Sequence, residues 1–159
     1  MDHNNILAVV LAGGKSKRFG RDKSQVKLGN KILIDYILTE IVDFYKDILI
    51  VTNEPIKFLD SNKISIANDI KKGLGPLGGI FSAMKWVKDN KKDYKWISTF
   101  PIDTPFFKKK HLIKFYKEIN LDKSNLFFMK SKNKRHNIFG LWSLGLYEKL
   151  ESALNRGDR

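Results

Sequence analysis

The sequence predicts an α/β fold with a mostly parallel sheet and helices on both faces, and three observations carry that prediction. Short, wholly apolar runs such as ILAVVL at 6–11 read as strands buried on both faces, which belong chiefly to parallel sheets. Segments with apolar residues three and four apart separate these runs, as helices do in right-handed βαβ crossovers. Polar or turn-forming residues follow the runs, at the carboxyl ends of the strands where such sheets bind ligands.

The elements follow in order. Residues 6–11 form the first strand, bounded by Asn5 and the glycines after Ala12. Residues 32–44 (ILIDYILTEIVDF) place Ile34, Ile37, Leu38, Ile41 and Val42 on one stripe of a helix. Residues 47–53 (DILIVTN) are a second buried strand, and 64–67 (ISIA) a third that runs into Asn68 and Asp69. Residues 73–79 (GLGPLGG) form a loop, with Pro76 in the first turn of a helix over 77–88. Residues 94–100 (YKWISTF) make a strand interrupted by Pro101 and Pro105. A helix over 108–119, strands over 125–129 and 138–142, and a helix over 144–154 complete the order. Trp86, Trp96 and the pair Phe106 and Phe107 sit in apolar patterns and are expected in the core or at its rim.

The chain has 159 residues, enough for one sound core, and is expected to form a single domain over 1–159. Cysteine is absent, which excludes disulfides, thiolate zinc sites and thiol catalysis, and fits a cytoplasmic setting. The early apolar run is too short to span a bilayer and lacks a basic flank, so no targeting segment and no membrane association are expected. The net charge of +13 would suit an anionic partner, but most of the excess is lysine in pairs and triplets on solvated faces. Nucleic-acid binding is not expected, because exposed aromatics are not interleaved with the basic residues.

The stretch LAGGKSKRFGRDKS, residues 11–24, joins three glycines to five basic side chains and one acid. Gly13 and Gly14 leave backbone N–H groups unobstructed, and Lys15, Lys17, Arg18, Arg21 and Lys23 can add charge-assisted contacts to an anion. A tight turn with solvated basic flanks is the plain alternative. Neither GxxxxGK[ST] nor GxGxxG spacing is present, which removes the P-loop and dinucleotide-binding readings. Asp69 and Asp103 each follow a strand pattern and should reach the same edge as this loop; alone, each would read as a turn or cap residue. Together with phosphates and water they form the hard-oxygen environment that Mg²⁺ prefers. Asp22 is read as orienting or screening the basic loop. His3, His111 and His136 are scattered, so no acid–base dyad is assigned.

LAGGKSKRFGRDK (11–23), VTN (51–53), ND (68–69) with GPLGGI (75–80), and PIDTPF (101–106) together resemble the molybdenum cofactor guanylyltransferases, the MobA-like branch of the nucleotidyltransferases. The resemblance implies a three-layer α/β/α sandwich with a Rossmann-like sheet. It implies GTP as donor, Mg²⁺ as cofactor, and the terminal phosphate of molybdenum-bearing molybdopterin as acceptor, with pyrophosphate released. Transient contacts with proteins that deliver the pterin or mature molybdoenzymes are implied as well. By resemblance, the backbone at Leu11, Ala12 and Gly13 lies along the guanine, while Gly14 and its loop, with Lys23, hold phosphates. Asn53 and Asp69 bind the nucleoside, and Asp103 binds the nucleotide and the metal. Arg18, Lys23 and Asp103 are the expected catalytic residues.

The segment RHNIFG at 135–140 resembles the family's strand near the pterin, with Asn137 where proline is usual. A solvated strand edge is the first reading of Arg135 and His136, and acceptor contact the second. The family pattern continues past residue 159 into a further strand and a late Asn-containing motif, whose absence would weaken the metal site and leave apolar sheet uncovered. Related CTP-dependent or sugar-phosphate nucleotidyltransferases, and a catalytically silent GTP-binding short form, are the alternatives.

Overall fold

The computed structural model describes residues 3–13, 26–57, 61–71 and 73–158. The chain runs β1 (Ile6–Leu11), β2 (Lys27–Leu28), β3 (Lys31–Ile32), α1 (Leu33–Ile41), β4 (Ile48–Val51), β5 (Ile64–Ala67), α2 (Pro76–Asp89) and β6 (Trp96–Pro101). It continues through α3 (Lys109–Glu118), β7 (Leu126–Ser131), β8 (Lys134–Ser143) and α4 (Tyr147–Arg156). Six strands form one sheet in the order β5-β4-β1-β6-β8-β7. The first four of that order are parallel, and β8 runs antiparallel to both β6 and β7.

Alternation along β1 explains the layering. Ile6, Ala8 and Val10 face a core shared with Ile34, Ile37, Leu38 and Ile41 of α1 and Leu112 and Tyr116 of α3. Leu7, Val9 and Leu11 face a second core with Ile80, Phe81, Met84 and Val87 of α2 and Tyr147 and Leu154 of α4. A strand buried this way has no polar side to offer, which is why its sequence is continuously apolar. The α/β class, the mostly parallel sheet and the three layers agree with expectation. Among the described residues, no helix is long and apolar enough to cross a membrane.

Several boundaries differ from the sequence expectation. The first helix ends at Ile41, and residues 42–44 continue as a turn. Pro101 does not interrupt the strand but closes it, pairing in register with Leu11. The last strand starts at Lys134, because a polar hairpin extends β7 and β8 past the apolar part. The apolar part of the β7–β8 pairing needs Gly140, opposite Phe128, where a Cβ would lie 2.2 Å from the Phe127 carbonyl oxygen. The β2–β3 hairpin was not foreseen; it turns at Gly29 with φ +60° and is pinned to α1 by the Tyr36 hydroxyl, 2.7 Å from the Leu28 carbonyl. Trp86 and Trp96 are half-buried at the rim as expected.

The expectation for Phe106 is corrected. Phe107 is buried against Phe100 and Phe139, whereas Phe106 is 69% exposed, with the Tyr36 ring at 6.3 Å between centroids. In the turn between β6 and α3 the two neighbours point opposite ways, so the core takes one of them. Deeper in the same layer, the Tyr45 hydroxyl bridges the Ser98 hydroxyl at 3.1 Å and the Tyr116 hydroxyl at 2.8 Å. Burial raises both phenols, Tyr116 to about 12, so the cluster stays neutral.

Glu40 of α1 fastens the start of α3. Its carboxylate accepts from the Lys108 ammonium at 2.8 Å and from the Lys109 backbone N–H at 2.8 Å. The Lys108 hydrogen bond is the main reason its carboxyl sits below the ordinary carboxylate value. A depressed folded value stabilises the fold above the unfolded value of about 4.3 and loses that contribution as pH falls through the depressed one. Glu40→Gln is therefore expected to lower stability by about 0.5–1 kcal/mol at pH 7, allowing for screening of the exposed Lys108. Urea denaturation at pH 7 and pH 3 checks this: the gap between variant and parent should shrink at pH 3.

Candidate functional site

The register of the parallel strands brings four strand ends level. Leu11 pairs with Val51 on one side and Pro101 on the other, and Val51 pairs with Ala67. Backbone hydrogen bonds carry the alignment one residue further: Ala12 N–H donates to Val51 O at 3.0 Å, Thr52 N–H to Ala67 O at 3.0 Å, and Ile102 N–H to Leu11 O at 3.2 Å. Ala12 and Gly13, Asn53, Asp69 and Asp103 consequently emerge along one edge of the sheet.

Each expected residue has a definite place there. Leu11 is 7% exposed and its side chain packs beneath α2, so the part it can offer a ligand is its backbone. Ala12 is buried, while Gly13 is exposed beside Asp69: a Cβ built on Gly13 would lie 4.0 Å from Asp69 Oδ2. Asn53 is exposed in a turn tied by the Thr52 hydroxyl, which accepts from Glu54 N–H at 3.1 Å. Asp103 is exposed just beyond β6, on a loop held by Thr104, whose N–H and hydroxyl both reach Pro101 O. Gly14, Lys15, Lys17, Arg18, Arg21, Asp22 and Lys23 lie outside the described residues.

Asp69 is held from behind by residues that sequence reading did not single out. Its Oδ1 accepts from Lys71 N–H and from the Ser82 hydroxyl, each at 3.1 Å. Ser82 also accepts from Ile70 N–H at 3.0 Å. Room for the turn comes from Gly78, where a Cβ would stand 2.6 Å from Lys71 O. A polar residue inside the buried run GGIFSAM of α2 was the available signal, since a buried hydroxyl needs a partner.

The histidines stand apart from this edge, as expected. His3 precedes β1, His111 accepts from Lys108 N–H at the start of α3, and His136 on β8 bonds the Ser131 hydroxyl at 2.6 Å. The strand-end edge offers carboxylates and backbone N–H groups, chemistry suited to holding and aligning a charged ligand. Among the described residues no three His, Asp or Glu side chains cluster as a metal cage.

Next to the edge, a groove of about 510 Å³ runs between the loop at Gly75 and Pro76 and the strands β7 and β8. Phe128, Arg135, Asn137 and Trp142 line its far wall. The Arg135 guanidinium lies 5.2 Å from the Phe128 ring and donates to Asn137 Oδ1 at 2.6 Å. Arg135 and Asn137 are both exposed, in keeping with the solvated first reading of that strand, and these contacts orient the guanidinium.

Comparison with known proteins gives a consistent result. Residues 8–159 match the model of the MobA-like NTP transferase domain. A molybdenum cofactor guanylyltransferase of Rhizobium rhizogenes is 31% identical over 154 residues, covering 96% of this chain and 70% of the relative. One from Haemophilus influenzae is 30% identical over 156 residues, covering 97% and 79%. Among solved structures, molybdopterin-guanine dinucleotide biosynthesis protein A from Archaeoglobus fulgidus has the same fold. Its TM-score is 0.70 at 23% identity, with 96% of this chain and 75% of that one covered.

Proposed function

The chain belongs to the MobA-like NTP transferase family, and from that premise we propose that it transfers GMP from GTP to the terminal phosphate of molybdenum-bearing molybdopterin. The observation that supports this most is the levelling of Gly13, Asn53, Asp69 and Asp103 on one sheet edge. The backbone of Leu11, Ala12 and Gly13 lies along the guanine, and Gly14, Arg18 and Lys23 hold the triphosphate. Asn53 and Asp69 bind the nucleoside.

Asp103 fits Mg²⁺, an ion that takes one or two carboxylates together with water and phosphate oxygens and needs no three-residue cage. When bound, Mg²⁺ supplies neutralisation of the charge on the phosphates. An oxygen of the acceptor phosphate forms the new bond to the α-phosphorus, the bond from that phosphorus to the bridging oxygen of the β-phosphate breaks, and pyrophosphate leaves with the electron pair. The acceptor phosphate is already ionised near neutrality, so alignment and charge neutralisation suffice without a general base. The groove beside Gly75, with Arg135 over Phe128, is the acceptor side. Proteins that deliver the pterin or take up the product are the partners such a reaction implies, in the cytoplasm.

Pyrophosphate release measured with GTP, CTP, ATP and UTP in turn, with acceptor and Mg²⁺ present, tests the assignment. GTP should give the fastest release. A clear CTP preference contradicts guanylyl transfer, and GTP binding without turnover marks a silent binding module.

A further inference from the structure

We propose that Ser82 is a positioning residue for Asp69, turning one oxygen of its carboxylate inward so that the other is presented at the nucleotide edge; this rests on Asp69 as a nucleoside ligand. Ser82 is 3% exposed on α2, beneath the turn that follows β5. Its Oγ lies 3.1 Å from Asp69 Oδ1 and 2.8 Å from the Gly78 carbonyl oxygen, and accepts from Ile70 N–H at 3.0 Å. A hydroxyl has one proton and two lone pairs, so its donation is shared between Asp69 and Gly78 while its acceptance fixes the turn. Lys71 N–H adds a second donor to the same Oδ1, at 3.1 Å.

Among the described residues, every hydrogen bond to the Asp69 carboxylate falls on Oδ1, while Oδ2 faces Gly13. An aspartate carboxylate turns readily about its last torsion, and the clamp removes that freedom. An ionised carboxylate only accepts, so the oxygen presented selects an O–H or N–H donor of the nucleoside. The hydroxyl thereby acts on the ligand through Asp69, without touching it.

The test is a double-mutant cycle on Mg-GTP binding to the full chain, read by calorimetry. Ser82→Ala should weaken GTP binding about fivefold to tenfold, the loss of one charge-assisted hydrogen bond. Ser82→Thr, which keeps the hydroxyl, should stay within about twofold of the parent. In an Asp69→Ala background, adding Ser82→Ala should change GTP affinity no further. Equal losses in both backgrounds, or unchanged affinity in Ser82→Ala alone, overturn the clamp. Unchanged affinity in Asp69→Ala overturns the nucleoside assignment and the clamp with it, which separates the two failures.

Discussion

Asp103→Asn is expected to lower guanylyl transfer at saturating GTP by about 10²-fold or more, the size of effect seen when one preorganised charge partner is removed. Asparagine keeps the shape of the side chain and removes its charge, so the phosphates lose their closest proposed anionic anchor for Mg²⁺. The side chain is exposed beyond β6, and Thr104 and the Ile102 N–H on Leu11 O also hold the loop. The fold should therefore be unaffected, with the thermal midpoint within about 2 °C of the parent. Steady-state kinetics across a Mg²⁺ titration, paired with thermal melts, reads both. Full activity in a folded variant refutes the metal role.

Gly78→Ala should damage both stability and nucleotide binding. The added Cβ would meet Lys71 O at 2.6 Å, Asp69 Oδ1 at 3.3 Å and Lys71 Cβ at 3.4 Å, and the nearest of these is backbone, which cannot rotate away. Either α2 lifts from the sheet or the turn at 69–71 shifts, at about 1–3 kcal/mol. The turn carries Asp69, so the KM for GTP should rise by about tenfold, a loss near 1.4 kcal/mol of binding. Gly79→Ala is the control: its Cβ would meet Leu11 Cδ2 at 3.0 Å, the end of a side chain that can turn, and the effect should be smaller. Comparable losses in the two variants would show that helix packing, not the Asp69 turn, sets the sensitivity.

The ends of β1 and β4 were legible because strands buried on both faces leave an unbroken apolar run that stops where the chain meets solvent. The ends of β5 and β6, which carry Ser65, Ser98 and Thr99, are marked instead by the pair Asn68 and Asp69 and by Pro101. Leu11, Val51, Ala67 and Pro101 mark those stops, and the register turns four separate sequence positions into one edge. The β2–β3 hairpin escaped notice because two residues per strand are too few to express a period. Phe106 was misplaced because two adjacent phenylalanines read alike, although a turn can bury only one. The polar start of β8 escaped for a different reason: Lys134, Arg135 and His136 pair through backbone with Ser131, Lys130 and Met129, where side chains carry no apolar signal.

The support for Asp69 was the least legible part of the candidate site. Ser82 and Gly78 lie nine or more residues along the chain from Asp69, and they meet it because α2 folds back over the end of β5. Periodicity marks that face of α2 as buried and says nothing of which buried hydroxyl grips which carboxylate. Such contacts come from packing one element on another, and only the three-dimensional arrangement contains them.

Incubating the protein with Mg²⁺, molybdenum-bearing molybdopterin and GTP labelled with ³²P at either the α or the γ position tests nucleotidyl transfer most directly. The account predicts that the α label enters the pterin product while the γ label leaves as pyrophosphate. Transfer of the γ label to the pterin, or no transfer of the α label by the folded protein, would contradict it.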